Sequence, residues 1–137
     1  MKLEYPISKR LFDMQGATST HENHPFDPEE RTAQFGEAVI RFCKNVQLTP
    51  ITSTLVDQLV RAATSIGANY CEANDSESKR DFRHRISHSR KESRESKHWL
   101  RMLVAAVPEL APDARKLWQE AKELNLIFSS IIRRHKQ

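Results

Sequence analysis

Glycine is scarce in this chain, with three in 137 residues, and the six prolines stand at Pro6, Pro25, Pro28, Pro50, Pro108 and Pro112. Such sparse breakers leave long uninterrupted spans, the punctuation of an all-helical protein. Cysteine is scarcer still. Cys43 and Cys71 stand alone with no Cys-x-x-Cys or Cys/His spacing, which argues against a disulfide framework or a zinc site and for free thiols in a reducing compartment. No apolar run approaches the roughly 20 residues that a membrane span needs. The opening MKLEYPISKR also lacks the apolar core of a signal peptide, so the cytoplasm is the expected location. A Gly-x-Ser-x-Gly turn, a glycine-rich phosphate loop and a nucleophile with base and orienter are all missing, so the expectation is a protein without a cofactor that is not an enzyme.

What is present is helical periodicity. In residues 55–76, Leu55, Leu59, Ala62, Ile66, Asn69 and Ala73 alternate four and three apart, and Val56, Val60, Ala63, Gly67 and Tyr70 run beside them. A helix with two adjoining apolar lines must cover both, which places it inside a bundle. Its small residues let a neighbouring backbone come close, and close packing would offset the helix-propensity cost of about 1 kcal/mol at Gly67.

Three more helices flank it. Asp27 reads as an N-cap with Pro28 at the first helical position and Glu29 and Glu30 in the first turn, ahead of the apolar face Phe35, Val39, Phe42 and Val46. Thr52 or Ser53 is the expected cap of the second helix. Ser78 opens the third, whose seam runs Phe82, Ile86, Ser89, Ser93, Ser96, Leu100, Leu103 and Val107. Three serines where leucines belong imply a close helix contact or a polar layer shared with Asn69 and Glu72, or else an internal binding site. Pro108 stops the third helix, and Pro112 or Asp113 is expected to start the fourth, which carries Leu110, Ala114, Leu117, Ala121, Leu124, Phe128 and Ile131. Four long amphipathic helices with short connections give an all-α, antiparallel up-and-down four-helix bundle over residues 26–137, after an N-terminal extension of residues 1–25 that holds His21 and His24. Spare apolar lines, including Trp99 and Trp118, point to self-association.

The segments DQLVRAATSIGANYCEAND and SKRDFRHRISHSRKESRESKHWL resemble the four-helix-bundle proteins related to those encoded in intervening sequences of bacterial 23S ribosomal RNA genes. The likeness extends from about Phe26 to Arg134. It implies an up-and-down bundle that assembles into a homopentamer and associates with RNA or the ribosome, with no catalytic residues assigned. The accessory protein of diversity-generating retroelements, which binds nucleic acid, is similar in architecture. Where many relatives have Ile-Ala-Glu-Gly after the shared Ala-Asn, this chain has Tyr70-Cys71-Glu72-Ala73.

Charge singles out the third helix. Net charge is +4, yet this helix sets nine cations against Asp81, Glu92 and Glu95. Arginines predominate, and guanidinium groups hold phosphates in bidentate fashion, so Arg83, Arg90, Arg94, Lys97 and Arg101 are the candidate contacts to a nucleic-acid backbone. A ring of copies would multiply that contact. The bland alternative is a solvated face paired with acids of neighbouring helices, or a basic face that meets an acidic protein in an adaptor role. A metal site is sharper but weaker: His84 and His88 lie one turn apart, Glu92 follows, and Glu95 with His98 forms a Glu-x-x-His, yet the second Glu-x-x-His of a di-iron bundle is missing, so no metal is expected.

Overall fold

The structure is a computed structural model that describes residues 27–136. The expected N-terminal extension, with His21 and His24, lies outside the described residues. Four helices account for nearly all the rest: α1 (Pro28–Lys44), α2 (Pro50–Asn74), α3 (Lys79–Ala106) and α4 (Ala111–Arg134), with a 3-10 turn at Pro108–Leu110 before α4.

Local chemistry sets their ends. The Asp27 carboxylate accepts the backbone N–H of Glu29 at 3.1 Å and of Glu30 at 3.4 Å, filling two of the donors that a helix start leaves open. Thr49, rather than Thr52 or Ser53, caps α2. Its hydroxyl accepts from Thr52 N at 3.1 Å while the Thr52 hydroxyl accepts from Thr49 N at 2.8 Å, a reciprocal capping box. Pro50 fits the first turn because no N–H is needed there, so the helix begins earlier than the threonine pattern suggested. Ser78 caps α3 through Asp81 N at 3.1 Å. The α4 start is also earlier than expected, at Ala111, because Pro108 ends α3 in a 3-10 turn closed by Leu110 N to Val107 O at 3.0 Å and the chain continues directly into the helix.

The seams read from the sequence form the core. Phe35, Val39, Leu59, Ile66, Ile86, Leu100, Leu103, Leu124 and Phe128 are all at most 1% exposed, each contributing about 1.5–3 kcal/mol relative to an exposed side chain. The helices follow one another around the bundle: α3 packs broadly on both α2 and α4, α1 rests mainly on α2, and the seam between α1 and α4 is the thinnest. The tight place is between α1 and α2. A Cβ at Gly67 would stand 3.3 Å from the Thr32 hydroxyl, and one at Gly36 3.7 Å from Thr64 Cα. Close packing thus offsets the propensity cost of Gly67.

The three seam serines are fully buried. Ser89 donates across the interface to Ile66 O of α2 at 2.9 Å, Ser96 to Glu92 O of its own helix at 2.8 Å, and Ser93 to Arg90 O at 2.6 Å. Asn125 of α4 completes the layer by donating to Ser93 Oγ at 3.2 Å and Arg90 O at 3.1 Å. The expected sharing with Asn69 and Glu72 does not occur, since Asn69 bonds Ser65 O and Glu72 pairs with Arg85. Every serine hydroxyl is occupied by the protein, which fits a structural layer.

Candidate functional site

The five cations singled out on α3 fall on one stripe. From Arg83 to Arg90 is seven residues, then four to Arg94, three to Lys97 and four to Arg101, steps that return to the same helix face. The stripe borders α4. Asn125 reaches Arg90 O, Lys97 Nζ lies 5.2 Å from the Trp118 ring centre, and Arg83 Nη1 donates to His135 O at 3.2 Å. These contacts fix an antiparallel register in which Arg83 is level with Arg133, Arg94 with Lys122 and Arg101 with Arg115.

A second row therefore runs along α4. Arg115, Trp118, Lys122, Ser129 and Arg133 are spaced three, four, seven and four apart, and the three cations among them are exposed. Sequence reasoning did not single out Arg115, Lys122 and Arg133 as a site, although the same spacing that marks the α3 stripe could have found them. The two rows make a band of cations along the α3–α4 edge, about 27 Å from Arg83 to Arg101 at the helical rise.

Acids are absent from this edge. Glu92 and Glu95 lie on the opposite flank of α3, where Lys91 reaches Glu95 at 4.0 Å and Arg85 reaches Glu72 of α2 at 2.7 Å. Glu120 and Glu123 of α4 turn toward α1, where Arg31 meets both. Among the described residues, Arg90, Arg94, Lys97, Arg101, Arg115, Lys122 and Arg133 make no ion pair with a carboxylate. Pairing with neighbouring acids thus describes Arg85 and Lys91 but not the stripe. The five candidates are not equivalent, however. Arg90, Arg94 and Arg101 are exposed; Arg83 is half-buried and spends one N–H on the carbonyl that closes α4; Lys97 lies over Trp118.

The histidines do not converge on a metal. His84 and His88 meet each other, Nε2 to Nε2 at 3.2 Å, His98 packs edge-on against Trp99, and no group of three His, Cys, Asp or Glu among the described residues could hold an ion. On that flank Glu92 Oε2 and Trp99 Nε1 are buried without a hydrogen-bond partner among the described residues. Burial, reinforced by nearby Glu95 and opposed by Arg61, raises the Glu92 carboxyl above its ordinary range. Of the thiols, Cys43 is buried and pushed up to about 11 by desolvation, which leaves it protonated and inert at neutral pH, while Cys71 is exposed. No helix among the described residues is long and apolar enough to cross a membrane.

Comparison with known proteins agrees with the bundle. A crystal structure from Bacteroides thetaiotaomicron, described as a protein of unknown function from the S23 ribosomal protein family, superposes with a TM-score of 0.69 at 26% identity, over 77% of this chain and 97% of its own. No curated protein matches the chain. Residues 29–130, most of the chain and all but the ends of the four-helix unit, match the model of the 23S rRNA-intervening sequence proteins, and the chain belongs to that family.

Proposed function

We propose that the protein is a non-enzymatic, homo-oligomeric binding module that holds RNA, free or in a ribonucleoprotein, by its phosphates along the α3–α4 edge. The observation that carries this reading is the acid-free band of cations, whose arginines stand ready for phosphate while Glu95 of α3 pairs with Lys91 and Glu120 and Glu123 of α4 pair with Arg31. The family description names 23S rRNA, which favours RNA as the polyanion. Arg90, Arg94 and Arg101 make the principal contacts, with Lys97 and Arg83 at their flank. No base-reading motif accompanies them, so phosphate contacts lead the binding. Assembly into a pentameric ring would repeat the band and raise avidity. Exposed Ile40 on α1 and Leu48 and Ile51 at the α1–α2 turn offer apolar surface for that assembly.

The test is an electrophoretic-mobility titration of the purified oligomer, its mass fixed by light scattering, against structured RNA. The double variant Arg90→Glu with Arg94→Glu is expected to bind roughly 100-fold more weakly at low salt, as two charge-assisted contacts become repulsive. Equal affinity in the variant would contradict this reading, as would no binding by the unaltered protein. The latter result would favour an adaptor whose basic face meets an acidic protein.

A further inference from the structure

Trp118 is the one exposed large aromatic residue among the described residues, and it sits within the cationic band, toward its Arg101–Arg115 end. Its neighbours Leu117 and Ala121 turn into the core, at 3% and 0% exposure, whereas Trp118 stays 37% exposed at the α3–α4 edge. Two ammonium groups hang over it, Lys97 Nζ at 5.2 Å and Lys122 Nζ at 5.8 Å from the ring centre. Neither lysine has an ion-pair partner among the described residues. The indole thus presents a π-face between two unpaired cations, with Arg94 level with Lys122 and Arg101 beyond.

We infer that Trp118 is a stacking platform for an unpaired base, so that the band selects single-stranded RNA segments over duplex. This rests on the phosphate-binding reading above and adds the form of nucleic acid to it. A base stacked on an aromatic ring is held more strongly than an exposed lysine over the same ring, so an incoming base displaces an ammonium from the indole. The displaced ammonium sits beside the sugar-phosphate of that same nucleotide, where it is needed. A base inside a duplex is already stacked on both faces and cannot offer one to a side chain on the flank of a helix, whereas a loop, bulge or free strand can. Stacking is tolerant of base identity, in keeping with the lack of a base-reading motif.

The experiment uses the full chain, a fluorescein-labelled unstructured adenylate 10-mer, and inorganic polyphosphate, which carries phosphates without bases. Trp118→Ala is expected to weaken binding of the 10-mer by roughly 5- to 100-fold and leave polyphosphate binding unchanged, while Trp118→Phe keeps most of the affinity. Should the alanine variant melt early, Trp118→Gln keeps a polar, soluble side chain at this exposed position and takes its place. Undiminished binding of the 10-mer, or equal losses for both ligands, would overturn the stacking role while leaving the phosphate band intact. If the unaltered protein binds neither ligand at low salt, the phosphate reading itself fails and the stacking role falls with it.

Discussion

Glu92 holds one carboxylate oxygen buried without a partner, beside a second carboxyl at Glu95, with Arg61 and Lys91 only partly compensating. Desolvation is the leading cause of its raised pKa, and the proximity of Glu95 adds to it. An acid whose pKa is higher in the folded chain than in the unfolded one binds its proton more readily when folded. Stability from this group is therefore greatest at low pH and declines as pH rises from the ordinary carboxylate value through the higher folded one. Glu92→Gln removes that penalty. Thermal melting is expected to show the variant with a higher Tm than the unaltered protein at pH 7, the gap closing toward pH 4; a lower Tm at pH 7 would show that Glu92 has a compensating partner. Residue-level readings from the sequence varied in success for physical reasons. Ser89, Ser93 and Ser96 were legible as a buried polar layer because their four-three spacing puts them on the seam. Their partners were not, since the bonds run to main-chain carbonyls of Ile66, Arg90 and Glu92, and carbonyls carry no sequence signature.

At the level of elements, four helices and their core faces followed from periodicity, because within each helix apolar residues recur four and three apart, as Leu55, Leu59, Ala62 and Ile66 do in α2 and Ala114, Leu117, Ala121 and Leu124 in α4. The helix starts were harder. Pro50 and the Pro108–Leu110 turn shift the onset of α2 and α4 earlier than the nearest polar cap suggested, and the outcome depends on which backbone donors remain open. What periodicity could not show is which helix lies beside which. The seam between α1 and α4 is thin, and Arg31 crosses it, its Nε donating to Glu120 Oε1 at 3.1 Å while the same guanidinium meets Glu123. Glu120 is 8% exposed, so removing the guanidinium takes one charged partner from a nearly buried carboxylate. Arg31→Ala is expected to destabilise the bundle by about 1–3 kcal/mol in urea unfolding, with the midpoint shifting and the slope unchanged. A loss below a few tenths of a kcal/mol would show that the Arg31 ion pairs add little to the hold on α1.

For the molecule as a whole, the sequence showed that positive charge is concentrated on α3 but not that α4 doubles it. Arg115, Lys122 and Arg133 become part of one band only when the antiparallel register lays them beside Arg101, Arg94 and Arg83. The same folding turns the acids of both helices away, Glu95 toward Lys91 and Glu120 toward Arg31, so a modest net charge of +4 conceals a one-sided distribution. Counterion release makes such a band measurable. Each phosphate neutralised on a single strand steepens the dependence of log K on log salt by about 0.7, so four or more contacts give a slope of about −3 or steeper. The most direct measurement is that slope, from titrations of the purified protein against an unstructured RNA between 50 and 200 mM salt. A slope of about −3 or steeper, with affinity falling by roughly 60-fold or more across the range, is the expected result; a flat dependence, or no binding at the lowest salt, would contradict a phosphate-binding face.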